Sequence, residues 1–355
     1  MASIVGGHFG RLPDQRDVST YTLTNDTGMQ VTVLSWGARI AGCRVPDRDG
    51  NVANVVLAHS DFGGWVADPH YLGATIGRVA NRVGNAQCTL EDATLALPAN
   101  DGDHHLHGGH EGFDRKLWDG VVERDADGGQ ALSMYLDSPD GDQGYPGRLA
   151  VRQRFSLDEH NTLTVETLAR TTATTLFAPT LHPYFNLSGD PTRAVNDHRL
   201  QVRAARWMPV DAQGIPTGEL ADVEDTPLDF RQATTLGERA YDALLAARGG
   251  YDHALVLDEA QGDMRLAAIL AEPESGRRLA IATTMPTLQL FVARDLALGD
   301  KRADGVCLEP QHHPDAVNND ALASPVLEPE SRYYARTTFR FDTLPAAAEP
   351  EEPRP

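Results

Sequence analysis

The sequence predicts an all-β fold, a sandwich or barrel built from many short strands. Three observations carry that reading. Apolar and β-branched residues recur in short runs separated by Gly, Pro, Asn and Asp clusters. One hairpin is strongly marked, across residues 149–171. Only one stretch, 233–250, reads well as a helix.

Taken in order, residues 29–59 hold three β-rich runs. They are broken first at Gly37-Ala38 and then at the Asp47–Asn51 cluster. A short helix is expected near 60–68, in "SDFGGWVAD". In the 149–171 hairpin, Val151, Gln153, Phe155 and Leu157 alternate onto one face. Leu163, Val165, Thr167 and Ala169 do the same on the return strand, and the polar residues 158–161 make the turn. Further strands are expected at 199–204, 253–258, 265–271, 278–284 and 288–294. The stretch 233–250 predicts the one substantial helix, ended by Gly249-Gly250. No repeat and no mid-chain shift of composition divides the sequence, so a single domain over 1–345 is expected. Residues 346–355, rich in Pro and Glu, have the composition of a disordered tail.

Charge excludes some classes of function. The 355 residues carry a formal net charge of −20, which repels nucleic acid and anionic membranes. There is no apolar run long enough to span a bilayer and no signal-peptide pattern at the start. Cys43, Cys88 and Cys307 are odd in number and widely spaced, which argues against a disulfide framework and for a reducing, cytoplasmic setting. Buried apolar roles are expected for all three. Nucleotide-phosphate loops (GxGxxG, GxxxxGK[ST]) and the GxSxG elbow are absent.

Polar, specially shaped stretches recur between the strands. "GATIGRVANRVGNAQ" places Arg78, Asn81 and Arg82 close together, groups able to bind carboxylates, phosphates or vicinal hydroxyls. "DGDHHLHGGHEGFDRKLW" carries His104, His105, His107 and His110. Their spacing matches no metal motif, so no metal is expected, and the Gly108-Gly109 pair would aim His107 into a cleft. In "LHPYFNLSG", Pro183 restricts His182 to an extended backbone at a strand end. Asp252 opens a strand in "GGYDHALVL". Glu309 ends an apolar run in "CLEPQHHPDAVN", with Pro310 following at once.

These motifs, with "WMPVDAQGIPTGEL" and "TPLDFR", occur in the order found in the aldose 1-epimerase family, which the chain resembles from about residue 20 to about residue 340. The resemblance implies a large antiparallel β-sandwich with one or two short helices. It also implies an isomerase that interconverts the α- and β-anomers of free aldohexoses such as glucose and galactose, without cofactor or metal. Carried over residue by residue, His182 matches the catalytic acid and Glu309 the catalytic base. Asn81, Arg82, His107, Asp252 and Gln289 match sugar-binding positions, with Arg78 and Tyr184 as further candidates. The partner implied is a monosaccharide, and the protein a monomer or homodimer. The chain departs from the family pattern in the extra histidines before "LHGG", in "TLQLFVARDL" around Gln289, and in His312-His313. Three other readings compete. A hexose-6-phosphate 1-epimerase would need Arg78 and Arg82 to hold a phosphate. A glycosidase would need two carboxylates facing across the sugar. A non-catalytic sugar binder would have no need of a matched acid and base.

Overall fold

A computed structural model describes residues 2–124, 128–258 and 262–345. The predicted tail, 346–355, lies outside the described residues. Strands dominate, and neighbouring strands pair antiparallel. The largest sheet has nine strands. Its centre is the run Gln130–Ser138, Leu149–Leu157, Thr162–Thr171, Tyr333–Thr343, Arg277–Thr283 and Arg265–Ala271. A six-stranded sheet is ordered Tyr184–Phe185, Lys301–Gln311, Thr287–Leu298, Asp252–Leu257, Ala204–Trp207 and Ala221–Asp222. A five-stranded sheet is made by Ser3–Arg11, Asp17–Thr24, Gln30–Leu34, Arg39–Pro46 and Val52–Asn54.

The predicted hairpin is present, in register from Leu149 opposite Thr171 to Leu157 opposite Leu163. Its inward face joins one apolar cluster with residues of all three sheets, among them Phe155, Val165, Leu279, Phe339, Leu290 and Val31. Each such side chain contributes on the order of 2 kcal/mol when removed from water. The inward set includes two polar members, Gln153 and Thr167, which stand opposite each other; Gln153, 2% exposed, accepts a hydrogen bond from the Thr75 hydroxyl.

Among the described residues there are two short α-helices. Phe62–Ala67 falls where expected, capped by Asp61, whose carboxylate accepts from the Gly64 N–H. The helix expected over 233–250 shrinks to Ala243–Ala246, capped by Asp242. Its first half is taken by tertiary structure instead. Thr234–Thr235 pairs as an edge strand with Arg199 and Leu200, and Leu236 is fully buried. Gly237 packs so close to Asn196 that a Cβ would meet it at 2.9 Å. Helix propensity is a weak preference, and strand pairing outweighs it here. No helix among the described residues is long and apolar enough to cross a membrane.

Candidate active site

The six-stranded sheet supplies the floor of the site through its period of two. Leu288, Leu290, Val306 and Leu308 point into the apolar core. The alternate residues point the other way, so Gln289 stands directly opposite Glu309, and Phe291 opposite Cys307. Across the next strand Ala254 lies opposite Gln289, which puts Asp252 on the same face. Across the outer strand Tyr184 lies opposite Cys307. One face of four adjacent strands therefore carries Tyr184, Cys307, Glu309, Gln289 and Asp252.

His182 sits between the Thr180–Leu181 and Tyr184–Phe185 strands. Pro183 restrains it, and its backbone is also tied on both sides. Its N–H donates to the Ala74 carbonyl (3.0 Å), and its own carbonyl accepts from the Gly73 N–H (2.9 Å). Its ring stacks on Tyr184 at 5.0 Å and meets the ring of Tyr71 at 6.1 Å. Nε2 stands 3.6 Å from Glu309 Oε1, and Nδ1 stands 3.5 Å from Cys307 Sγ. Both partners are buried, His182 5% and Glu309 2% exposed. Burial pushes the Glu309 carboxyl well above its usual range, with the charge of Asp252 adding to the effect. Burial also pushes the His182 imidazole down to about 4, against the smaller opposing pull of Asp68 and Asp252. Glu309 Oε2 is buried with no hydrogen-bond partner, so an incoming hydroxyl would satisfy it.

The opposite wall comes from the loops around Asn81 and His107, both at positive φ (61° and 52°). The two residues lock each other. The Asn81 N–H donates to His107 Nδ1, and the His107 N–H donates to the Asn81 carbonyl, both at 3.1 Å. Burial keeps the His107 imidazole neutral, its pKa well below the usual range, with the charge of His182 as the next cause. With Nδ1 accepting, the neutral ring carries its proton on Nε2. The glycines after His107 are not a flexible pivot: a Cβ on Gly108 would lie 1.8 Å from the Gly77 carbonyl oxygen, so close packing fixes the loop. Asn81, Arg82, Arg248, Asp252 and Gln289 line one cleft. Within it the Gln289 amide donates to Asp252 (2.7 Å), and Arg82 pairs with Asp101 (2.7 Å).

Two predicted contacts fall elsewhere. Arg78 is 2% exposed and bonded to the Ser138 hydroxyl and carbonyl, the Pro139 and Pro146 carbonyls and the Thr175 hydroxyl, so it ties loops together beneath the site. Tyr184 backs His182 rather than lining the cleft, because its hydroxyl donates to the His70 carbonyl (2.9 Å). The expected role of Cys307 also changes: it is buried, but it touches the His182 imidazole. Its place two residues before Glu309 in one strand was the available signal. Tyr71 and Arg248 were not foreseen, since each reaches the site from a turn with no periodic pattern.

The histidine cluster disperses. His104 accepts from the Asn85 N–H and meets Gln213, His105 lies between the Pro98 carbonyl and the Tyr145 hydroxyl, and His110 is exposed. His182, Cys307 and Glu309 do offer ligand atoms within 4.8 Å of one another. However, the thiol and the carboxylate meet different nitrogens of the one ring, and burial keeps the thiol protonated by raising its pKa well above the usual range.

The profile of the aldose 1-epimerase family matches residues 19–340. The chain is 35% identical to the galactose mutarotase of Bos taurus, over 96% of this chain and 99% of that one. It is 34% identical to the aldose 1-epimerase of Escherichia coli, over 93% and 96%. The crystal structure of galactose 1-epimerase from Lactobacillus acidophilus superposes with a TM-score of 0.85 at 29% identity, covering 97% of this chain and 99% of that one.

Proposed function

The chain belongs to the aldose 1-epimerase family and interconverts the anomers of aldoses, and we propose that Glu309 and His182 carry the two proton transfers. Ring opening removes a proton from the C1 hydroxyl and delivers one to the ring oxygen. Glu309 takes the first and His182 Nε2 supplies the second. The C1–C2 bond of the open aldehyde then rotates, and closure reverses both transfers. A positioned acid and a positioned base each contribute roughly 10²–10⁴-fold.

The observation that carries this reading is the 3.6 Å approach of His182 Nε2 to Glu309 Oε1 in a buried setting. At that distance the two groups act as one titrating unit holding a single proton. In the empty site burial favours carboxylic acid beside neutral imidazole. The carboxylate–imidazolium form differs only in which atom carries the proton. A sugar whose O1–H points at Glu309 and whose ring oxygen faces Nε2 stabilises that second form. His107 Nε2–H is a donor for the substrate oxygens.

Free aldohexoses, glucose or galactose, fit better than their 6-phosphates. Arg78 is committed to loop carbonyls, and the cleft's Arg82 and Arg248 already face Asp101 and Asp252. A glycosidase is disfavoured because Asp252 is held by Arg248 and Gln289 rather than presented as a second nucleophile or base. We also read the chain as one domain over 1–345, acting in the cytoplasm as a monomer or homodimer. The continuous apolar cluster and the three unpaired cysteines support this. The test is polarimetry of freshly dissolved α-D-glucose and α-D-galactose. Rates above buffer with the free sugars, and none with the 6-phosphates, are expected. Turnover of the phosphates alone would replace this substrate assignment.

A further inference from the structure

We propose that Arg248 is a specificity-determining residue of this site: it holds Asp252 in place and offers its remaining N–H groups to a hydroxyl on the C3–C4 edge of the sugar. The inference rests on the placing of C1 and the ring oxygen between Glu309 and His182.

Arg248 follows the short helix Ala243–Ala246 and borders the same cleft as Asn81, Arg82, Asp252 and Gln289. One NH2 group donates to Asp252 Oδ2 at 2.8 Å, while the other oxygen of Asp252 accepts from Gln289. The Arg248 Nε is buried with no hydrogen-bond partner. A buried guanidinium N–H without an acceptor is costly and is satisfied by a ligand oxygen placed there. The turn at Gly214 roofs this group: a Cβ there would lie 2.6 Å from an Arg248 NH2 nitrogen, so the turn confines the guanidinium against Asp252.

The order of strands says which part of the sugar arrives there. Tyr184–Phe185, next to His182, pairs with the Glu309 strand. That strand pairs with the Gln289 strand, which pairs with the Asp252 strand. With neighbouring strands about 4.8 Å apart, Asp252 stands about 10 Å across the sheet from Glu309, with Arg248 at the same end. In a pyranose the edge opposite the C1–O5 bond is C3–C4. Asp252 can only accept there and Arg248 can only donate, so together they sense the direction of the hydroxyls, including the one at C4 by which glucose and galactose differ. Neither Gln289 nor Arg82 duplicates this: Gln289 donates to Asp252, and Arg82 is drawn to Asp101.

The experiment compares wild type with Arg248→Gln and Arg248→Lys, using galactose, glucose and their 2-, 3-, 4- and 6-deoxy forms, with thermal melts of each protein. For galactose, kcat/KM should fall roughly tenfold or more in Arg248→Gln, mostly through KM, and less in Arg248→Lys. The wild-type-to-mutant ratio should collapse toward one for the 3- or the 4-deoxy sugar, because the mutation then has no contact left to remove. A ratio unchanged across all the deoxy sugars, or collapsing only for the 2- or 6-deoxy form, overturns the proposal. So does an unchanged KM with a lowered melting temperature, which marks a purely structural arginine. Wild type that fails to turn over any free sugar instead overturns the broader reading, and the two failures are distinct.

Discussion

Asn81 and His107 hold each other through two reciprocal hydrogen bonds, backbone N–H to Nδ1 and backbone N–H to carbonyl, each 3.1 Å. The pairing fixes the imidazole as a donor through Nε2 and holds two left-handed residues in one rigid wall.

His107→Phe keeps the ring and removes both nitrogens. The Asn81 N–H is then buried without an acceptor, which costs about 1–3 kcal/mol of stability. The substrate also loses a donor, so kcat/KM for galactose should fall by roughly 10–100-fold. Thermal melts and polarimetry on one preparation check both. A lower melting temperature with unaltered kcat/KM would leave His107 a structural residue only.

Arg78 gives the opposite pattern. Arg78→Met strands several buried carbonyl and hydroxyl acceptors, so the melting temperature should fall by roughly 5 °C or more. The KM of the folded protein should stay within about twofold, since the guanidinium does not face the cleft. Arg78→Lys keeps the charge without the fork and serves as a milder form if the first folds poorly. A tenfold rise in KM at unchanged stability would return Arg78 to the sugar site.

The contrast between Arg78 and Arg82 shows what the sequence could reveal. The 149–171 hairpin was legible because alternation at a period of two is a local property. Glu309, Gln289 and Asp252 were legible as motif positions, and their shared face follows once the strands are in register. Arg78 and Arg82 stand four residues apart in one polar loop, and nothing local separates the buried one from the one at the cleft. Their fates are decided by distant partners, Ser138 and Pro146 for one and Asp101 for the other. The 233–250 stretch failed for the same reason: its pairing with Arg199 and Leu200 lies far away in the chain.

The acid limb of the pH profile follows from the buried pair. His182 is pushed down to about 4 by burial, and Glu309 is pushed up. In the proposed mechanism the active pair holds one proton. As pH falls through about 4 the pair gains a second proton, the base is lost, and the rate drops. As pH rises the rate is retained until the pair loses its only proton, which the raised Glu309 value delays. The value of kcat/KM should therefore hold level as pH falls through the ordinary imidazole value of 6.5 and drop only toward about 4. Rates are measured across that range, with return to neutral pH confirming that the acid-exposed protein recovers. An inflection near 6.5 would mean that His182 is solvated in the working enzyme and that the pair does not titrate as a unit.

The sharpest division of labour is between His182→Asn and Glu309→Gln. His182→Asn removes the proton for the ring oxygen but leaves Asn81, Arg82, His107, Asp252 and Gln289 in place. Ring opening should slow by roughly 10²–10⁴-fold. Sugar affinity should weaken only by the ~1–3 kcal/mol of one buried polar contact. Glu309→Gln keeps the shape and a hydrogen-bonding group, yet cannot take a proton at neutral pH, so a loss of at least ~10²-fold with folding retained is expected. Because acid and base work on one C–O bond, the losses are not independent. The double variant should be little slower than the worse single one, since once either transfer is missing the other has nothing to act with. Calorimetric titration of galactose beside polarimetric rates for the four proteins tests this. Fully multiplicative losses would show two groups acting separately. Full activity in His182→Asn would move the acid to another group, with His107, whose ring lies 5.4 Å from that of His182, as the first candidate.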